Sequence, residues 1–491
     1  MQLLVEEIFV TEGVPQFTFV EPPNYNDILV DIRRSGKPVI IEGQSGTGKT
    51  TCVKKILQQL GTASTIQYLT SRDPVDGFAI HDIIHKKTPG TFVIDDFHRL
   101  PVAIQSSLAD VAKLAAENPE KKDLPKLILI GINQVGATLI QLVDDIAKRC
   151  GIHRIQPGDE SLISSLIQTG CEQLRIKIPQ ANLLIKETKG DYWLTQLLCQ
   201  SVCTMNGIVD NTHEVKTLDF VIDTLRARVV DKLHSAYNPS VKEFCRGQRF
   251  RPTNDPYFKL LRVIGQQDNS IVELNMLADS FPDIRGSINN IKEHRLSVLL
   301  ESKPICAKHF YYNRSNKSFA IEDPALFYYL RHLNWNSLRA DCGFKENNKD
   351  YEFDIALSFA GENRELASWV AKQLAILDAH VFYDENFEIN FLGKAWSEQF
   401  KRIFGNDSRL VVTLLDKHHL EKLWPTFERE CFQPRVPDGD VVAIFLDSTI
   451  FPGIPKDLVH IKFLWDNKDP KWQDRAIDEI VFPVMGKLGS M

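Results

Sequence analysis

The sequence predicts an α/β protein in which two doubly wound parallel sheets flank a mostly helical middle part. Four apolar runs of strand type alternate with helical patterns in the first third of the chain, at 38–42, 65–69, 91–95 and 126–132. Apolar residues then keep helical spacing over 159–233, and a second alternation of strands and helices begins at Tyr351. We therefore expect a parallel sheet in each end of the chain, with ligands bound at the carboxyl ends of its strands.

The composition argues against a fibre or a disordered tail and gives no general reason to expect nucleic-acid binding. The 491 residues are 43% hydrophobic, and 58 basic side chains face 64 acidic ones, which is enough apolar material for about three domains. Nine cysteines occur without a Cys-x-x-Cys pair or a zinc-type Cys/His spacing, so reduced thiols are expected. With no secretory leader pattern and no long apolar run, the sequence predicts a cytoplasmic protein that makes no membrane contact.

The most specific stretch of the chain is the eight residues 43–50, which read Gly-Gln-Ser-Gly-Thr-Gly-Lys-Thr. This is the phosphate-binding loop pattern, and it lies between a strand-like run and a helical one. Backbone N–H groups of such a loop surround an anion, while Lys49 reaches the terminal phosphates and the Thr50 hydroxyl ligates Mg²⁺. The alternative is a glycine-rich turn that binds nothing. The predicted ATP-binding residues are Gly43, Ser45, Gly46, Gly48, Lys49, Thr50, Thr51 and Asn133.

Two further apolar runs support a nucleotide site. The run 91–97 ends in Asp95 and Asp96, the form of a Walker B strand, in which Asp95 holds Mg²⁺ and Asp96 positions the water that attacks ATP. The run 126–132 ends in Asn133, where related ATPases place a polar sensor of the γ-phosphate. A surface turn would also tolerate these residues.

The middle of the chain suggests a lid and a winged helix. After the helical stretch, helices near 255–265, 271–280 and 283–294 precede short strands at 298–300 and 318–321. This layout resembles the STAND class of P-loop ATPases, in which a lid and a winged helix close over ADP and open with ATP. Glu322 stands where plant and animal relatives have a nucleotide-contacting His, and a carboxylate would repel phosphate. DNA binding by the winged helix is the alternative, but its third helix carries balanced charge, so nucleic acid is not the expected partner.

A polar stretch at 336–350 reads as a linker, and a new domain begins at Tyr351. Its opening at 351–364, Tyr-Glu-Phe-Asp-Ile-Ala-Leu-Ser-Phe-Ala-Gly-Glu-Asn-Arg, resembles the first strand of bacterial TIR domains. The segment at 423–430, Leu-Trp-Pro-Thr-Phe-Glu-Arg-Glu, agrees as well. The resemblance covers about 351–488 and implies a flavodoxin-like sheet. The predicted division is 1–155 P-loop core, 156–238 helical lid, 239–335 winged helix, 336–350 linker and 351–491 TIR domain.

The TIR resemblance implies that this domain cleaves NAD⁺, as many bacterial members do. The family's catalytic glutamate falls on Glu428, four residues after Trp424. A carboxylate beside the ribose would stabilise the oxocarbenium-like charge that forms when the nicotinamide bond breaks. The resemblance further implies an NAD pocket lined by Phe359, Ala360, Gly361, Arg364, Asp384, Trp396 and Trp424. Two alternatives stay open. One is an adaptor TIR domain in which Glu428 is exposed. The other is a phosphoreceiver domain, which requires an acidic cluster near the first strand that this sequence lacks.

These elements together predict an ATP-gated switch. ATP binding and an unknown phage-derived trigger or partner protein would open the lid and assemble a homo-oligomer, and the juxtaposed TIR domains would deplete NAD⁺ on phage infection. The expected ligands are ATP or ADP with Mg²⁺, and NAD⁺ as substrate. A non-catalytic TIR scaffold assembled by the ATPase and an ATP-dependent DNA-binding regulator are the alternatives.

Overall fold

The computed structural model describes the chain except residues 1, 45, 122, 132–148, 347, 385–394, 453, 456 and 457. The described residues form two compact units. The first comprises Met1–His234 and Glu322–His332, and the second comprises Ser235–Ile321 and Leu333–Met491. The division into five domains stays a prediction, and each unit is described by itself.

The first unit is built around a five-stranded parallel sheet. Its strands are β1 (Val39–Glu42), β2 (Gln67–Thr70), β3 (Gly90–Asp95), β4 (Pro125–Gly131) and β5 (Gly151–Arg154), in the order β2-β3-β4-β1-β5. The four strands predicted from the apolar runs are confirmed, within two residues at their ends. The short β5 is additional, since its residues alternate between buried and solvent-contacting positions and carry no continuous apolar run.

Helices cover both faces of this sheet because its strands are apolar on both sides. In β1, Ile40 packs with the helices Pro74–Lys86 and Val102–Glu117, while Val39 and Ile41 pack on the other face with Tyr25–Arg33 and Lys49–Gln59. Successive side chains of a strand point to opposite faces, so one four-residue strand contributes to both cores. The carboxyl ends of β1 and β3 therefore lie at the same edge of the sheet and are separated by β4.

The rest of the first unit is mostly helical, as the sequence indicates for 159–233. Asp159 and Asp191 cap two of these helices by accepting backbone hydrogen bonds from Leu162 and Leu194. The helices are Val5–Ile8, Glu160–Leu174, Ala181–Thr188, Tyr192–Met205, Ile222–Arg246, which continues into the second unit, and Pro324–His332; β6 (Ile176–Lys177) and β7 (Lys216–Thr217) form a short parallel pair. The interpretation of this region as a lid stays a prediction.

The second unit begins with helices around a small antiparallel sheet. Its strands are β8 (Ile271–Glu273), β9 (Phe310–Asn313) and β10 (Ser318–Ile321), in the order β8-β10-β9. The helices are Pro256–Ile264, Leu274–Ser280, Arg285–Lys292, Arg295–Ser302 and Pro304–Ala307. The strand predicted at 298–300 is wrong, because these residues lie in the helix Arg295–Ser302, where Leu296 and Leu299 are buried on one face.

The C-terminal part of the second unit is a five-stranded parallel sheet. Its strands are β11 (Phe353–Ser358), β12 (Val381–Phe382), β13 (Ser408–Leu415), β14 (Val441–Phe445) and β15 (Ile461–Lys462), in the order β12-β11-β13-β14-β15. The order 2-1-3-4-5 is that of a flavodoxin-like sheet, which confirms the predicted fold class. The helices are Arg364–Ile376, Trp396–Arg402, Lys417–Glu421, Leu423–Phe432, Trp472–Ala476 and Phe482–Ser490, with π-helical turns at Ile403–Asp407 and Ile477–Val481.

A buried ionic cluster joins β11 to the helices that precede it within the second unit. Asp354 on β11 is 1% exposed and lies 3.1 Å from both the Arg251 and the Arg295 guanidinium. Arg295 also pairs with Asp378 at 2.9 Å. Burial alone would raise the pKa of Asp354, but the two arginines hold it well below its usual range. Residues 336–350, predicted as a linker, overlap the helix Trp335–Cys342, and Asp350 accepts a hydrogen bond from the backbone of Ser287.

Candidate functional sites

The sequence with the phosphate-loop pattern joins β1 to the helix Lys49–Gln59, and two of its glycines are in a left-handed conformation. Gly46 and Gly48 both have φ of +79°, a left-handed conformation that L side chains rarely adopt. A Cβ at Gly46 would also lie 2.2 Å from the buried carboxylate of Asp191. The loop therefore needs glycine at these two positions, and it delivers the helix N-terminus directly to the end of the sheet.

Lys49 and Thr50, which are predicted to bind phosphate and metal, are the first two residues of the helix Lys49–Gln59. The Lys49 ammonium donates to the carbonyls of Gly43 and Gln44 at 3.0 and 2.6 Å. Burial lowers the pKa of Lys49 to about 8, against the opposing effect of the nearby Asp95 carboxylate. A bound phosphate would add negative charge beside this ammonium and favour its charged form.

The side chains at the end of β3 fit a magnesium ion. The Thr50 hydroxyl donates to Asp95 at 2.8 Å, and Tyr68, at the neighbouring β2, donates to the same carboxylate oxygen at 2.6 Å. Mg²⁺ is commonly held by one or two protein oxygens together with water and substrate phosphates. Thr50 and Asp95 supply such a pair, and no cluster of three or more His, Cys, Asp or Glu side chains suited to a metal occurs in the part of the chain that is described.

Above this site lies a cavity of about 370 Å³. Of the residues predicted to bind ATP, it is lined by Gly46, Gly48, Lys49, Thr50 and Thr51, and by Asp95 and Asp96. The carbonyl group of Gly43 accepts a hydrogen bond from Lys49. Ser45 and Asn133 lie outside the described residues.

Asp96 and three basic side chains form a network at the cavity wall that sequence reasoning missed. The Arg72 guanidinium donates to Asp96 at 2.5 Å and to Glu322 at 3.2 Å. Arg99 donates to the same Glu322 oxygen at 2.7 Å, and His98 contacts the other. Arg72 lies two residues after the end of β2, at the carboxyl edge of the sheet, so the rule that ligands bind at this edge could have singled it out.

The second cavity, of about 440 Å³, lies at the carboxyl edge of the C-terminal sheet. The structure brings seven of the eight residues predicted for this site into its wall: Phe359, Gly361, Arg364, Asp384, Trp396, Trp424 and Glu428. The eighth, Ala360, is fully buried next to Phe359. Arg364 pairs with Asp384 at 3.2 Å and lies over the Phe359 ring. The walls therefore combine aromatic surfaces with one ion pair.

Glu428 is the more deeply buried of the two carboxylates that line this cavity among the described residues. It lies in the helix Leu423–Phe432 and is 8% exposed, whereas Glu430 two residues later is exposed to solvent. Glu428 is therefore a buried residue of this helix, in contrast to the alternative in which it is exposed to solvent. Burial raises the pKa of Glu428 to about 8, a hydrogen bond from Ser358 acts in the opposite direction, and the Asp384 charge adds to the increase.

Ser358 and His419 stand behind Glu428 and were not found from the sequence. The Ser358 hydroxyl donates to Glu428 at 2.5 Å and lies 3.0 Å from His419 Nε2. His419 is fully buried, and burial lowers its pKa to about 3, so its ring is neutral. Ser358 thus holds one carboxylate oxygen and leaves the other for the cavity. The position of Ser358 at the carboxyl end of β11 was a usable signal, whereas His419 is brought there only by packing.

The buried carboxyl group leads to a prediction about stability. An unfolded glutamate ionises near 4.5 and folded Glu428 near about 8, so between these values the folded chain holds a proton that the unfolded chain releases. Rising pH therefore lowers the free energy of unfolding through this group. Because Glu428→Gln cannot ionise, its melting temperature should rise relative to wild type between pH 5 and 8 and level off above. Thermal melts at pH 5, 7 and 9 measure this, with the exposed Glu430→Gln as control; a pH-independent difference would contradict it.

Comparisons with known proteins give a curated relative and several solved structures. The "3' cyclic ADP-D-ribose synthase AaTIR" of Aquimarina amphilecti is 35% identical over 127 residues, which are 25% of this chain and 38% of that protein. The chain thus spans well under half the length of the curated relative that it matches. No family model matches the chain.

Solved structures with low similarity to the chain include three that are named here. The ORC2 protein of Aeropyrum pernix is 10% identical with a TM-score of 0.34, covering 70% of this chain and 99% of that one. The RuvB branch migration motor of Thermotoga maritima is 16% identical with a TM-score of 0.32, covering 62% and 92%. Domain III of the Thermotoga maritima replication initiation protein DnaA is 19% identical with a TM-score of 0.31, covering 42% and 91%.

The loop and the two sheets define the fold of the protein. It combines an α/β unit that carries the phosphate-binding loop pattern with a second parallel sheet of flavodoxin-like strand order. Over 127 residues the chain is similar to the TIR protein named above. None of the chain's described helices is both long and apolar enough to cross a bilayer.

Proposed function

We propose that this protein is an ATP-gated switch whose TIR domain cleaves NAD⁺ into nicotinamide and ADP-ribose, or a cyclic form of it. The observation that carries the proposal is the buried Glu428 carboxyl group in a cavity that Trp396 and Trp424 also line and that is large enough for a nucleoside. The similarity to a cyclic ADP-ribose synthase supports the same chemistry.

The cavity suits the cleavage of a cationic nucleoside. The leaving nicotinamide departs as a neutral base and needs no general acid, whereas the ribose develops positive charge as the bond breaks. The Glu428 oxygen not held by Ser358 can face this charge, and in a buried site such an interaction is strong. The positive pyridinium ring of the substrate also favours the ionised carboxylate, because an opposite charge nearby lowers its pKa.

The aromatic and ionic groups of the wall give the substrate its orientation. Trp424 is 46% exposed although the Phe400 and Phe427 rings lie nearly perpendicular to it at 5.7 and 6.2 Å, so part of its indole surface is open for stacking on a base. Trp396 packs on Phe400 at 5.1 Å. The guanidinium of Arg364 can contact the pyrophosphate while Asp384 keeps it in place.

The P-loop site is proposed to control this activity. Lys49 and the loop backbone would hold the phosphates of ATP or ADP, and Thr50 with Asp95 would hold Mg²⁺, which supplies charge neutralisation at the phosphates. We propose that ATP binding opens the lid and winged helix and assembles a homo-oligomer that brings TIR domains together. A phage-derived trigger or partner protein would act before this step, and NAD⁺ depletion in the cytoplasm would stop growth of the infected cell.

Product analysis tests the proposal directly. Purified full-length protein is incubated with NAD⁺ in the presence of ATP, ADP or a non-hydrolysable ATP analogue, and nicotinamide, ADP-ribose and cyclic products are separated by chromatography. Nicotinamide release that depends on the nucleotide is the expected result. If no condition releases nicotinamide, the TIR domain acts as a non-catalytic scaffold instead.

A substitution at Asp96 probes the role of ATP hydrolysis. Asp96→Asn keeps the size of the side chain but removes the carboxylate that would position water, so it should bind ATP and hydrolyse it at least about tenfold more slowly. The assembled state would persist, and NAD⁺ consumption should rise. Phosphate release and sizing with ATP measure both effects. A variant that stays monomeric with ATP would contradict the prediction.

A further inference from the structure

The network around Glu322 has the composition of an anion-binding site. Its carboxylate is 3% exposed and meets the Arg72 and Arg99 guanidinium groups and the His98 ring. Burial alone would raise the pKa of Glu322, but the hydrogen bond and charge of His98, together with Arg99, bring it down to about 2. A full negative charge is therefore held by three basic side chains.

This anion lies in the wall of the phosphate-loop cavity. Arg72, His98 and Glu322 line the same cavity as Lys49 and Thr50. Arg72 reaches both Asp96 and Glu322, so it links the end of β3 to the residue that follows β10 in the sequence. A guanidinium binds carboxylate and phosphate oxygens through the same fork of N–H groups, and a phosphate in this cavity would compete with Glu322 for it.

We propose that Arg72, supported by His98 and Arg99, forms a subsite for the terminal phosphate of a nucleoside triphosphate, and that Glu322 occupies this subsite until a triphosphate displaces it. A nucleoside diphosphate lacks that phosphate and leaves Glu322 in place. The inference rests on the proposed nucleotide site at the P-loop. It also gives Glu322 a role other than the one of the His in the STAND class, because its charge repels the nucleotide that it reports on.

Displacement of Glu322 would loosen the segment that it begins. The helix Pro324–His332 starts two residues later, and its far end is held by a different glutamate, Glu187, which pairs with His332 at 3.1 Å. Glu187 also pairs with Arg226 at 2.5 Å. Glu187 does not occur among the described residues that line the cavity, so only one end of the segment responds to the nucleotide.

Binding measurements on full-length variants test the subsite. Glu322→Gln keeps the size of the side chain and one acceptor oxygen for the guanidinium groups but removes its charge. The affinity for the analogue ADPNP, measured by calorimetry, should rise by about tenfold, because an ionic competitor for Arg72 is lost. The affinity for ADP should change by less than about threefold, since ADP does not reach the subsite. Equal gains for both nucleotides, or no gain for ADPNP, would overturn the proposal.

The chain offers a matched control and a reciprocal variant. Glu187→Gln removes a buried glutamate that also pairs with an arginine and a histidine and also holds the helix Pro324–His332, so it should leave both affinities unchanged. If it raises ADPNP affinity as much as Glu322→Gln, the effect comes from a loosened helix, and the subsite is wrong. Arg72→Gln in the Glu322→Gln background should abolish the gain; retention of the gain would show that Arg72 does not bind the phosphate.

Hydrogen exchange supplies a reading that does not depend on affinity. In wild-type protein, the amides of 322–332 should exchange faster with ADPNP than with ADP, and in Glu322→Gln the two should be alike. Identical exchange in wild type with both nucleotides contradicts displacement. A wild type that binds neither nucleotide overturns the P-loop site and the subsite together. If wild type binds nucleotide but Glu322→Gln shows no gain in affinity that is selective for ADPNP, the subsite is wrong and the P-loop site stands. NAD⁺ cleavage does not enter this test.

Discussion

Glu428→Gln should lower the rate of NAD⁺ cleavage by on the order of a hundredfold or more. The substitution keeps the size of the side chain and leaves an oxygen for the Ser358 hydroxyl, which donates to Glu428 at 2.5 Å. What it removes is the negative charge that would face the developing oxocarbenium ion. The loss should appear in kcat, because the interaction is made mainly in the transition state. Nicotinamide release under activating nucleotide measures it.

The control for this prediction lies in the same helix. Glu430 is exposed two residues later and points away from the cavity, so Glu430→Gln should cleave NAD⁺ at the wild-type rate. ATP hydrolysis and nucleotide-dependent assembly should stay near wild type in both variants. If Glu430→Gln is inactive and Glu428→Gln is active, the assignment through the spacing from Trp424 is wrong.

Lys49→Ala should weaken ATP and ADP binding by about 3 kcal/mol, a factor of about a hundred, and so abolish nucleotide-dependent NAD⁺ loss in cells. The Lys49 ammonium is buried beside the loop carbonyls and is the basic group expected to reach the phosphates. Calorimetry on the purified variant and NAD⁺ measurement in cells check the two parts separately.

The matched control for Lys49 is Lys55, which belongs to the same helix, Lys49–Gln59, and lies outside the described wall of the cavity. Lys55→Ala should bind nucleotide as wild type does. NAD⁺ cleavage that continues unchanged in Lys49→Ala would contradict control by the P-loop site and leave the TIR domain as an independent enzyme.

The phosphate loop could be predicted because its determinants are local. Eight consecutive residues supply the glycines, the lysine and the hydroxyl, and the strand and helix on either side follow from short-range patterns. Arg72 and Glu322 could not be connected in this way, because 250 residues separate them and only the folded chain brings them together. Both residues line the same cavity because the topology of the fold brings these distant segments together.

The TIR site shows the same division between local pattern and packing. The spacing from Trp424 singled out Glu428. Its burial and its hydrogen bond with Ser358, however, arise only because the helix Leu423–Phe432 packs against β11. The wrong strand at 298–300 has a simpler cause. Three consecutive apolar residues carry no period, so a strand and a buried helical turn look alike until the helix face is known.

The ionic cluster at β11 means that the C-terminal sheet, the proposed TIR domain, is not a detachable module. Asp354 belongs to its first strand, but both arginines that neutralise it, Arg251 and Arg295, come from the helical segment before it. A fragment cut at Tyr351 would lose these partners, and its Asp354 carboxylate would have to be hydrated or protonated. Truncated TIR fragments would therefore report a different stability and a different surface from those of the intact chain, and studies of isolated domains should begin upstream of Arg251.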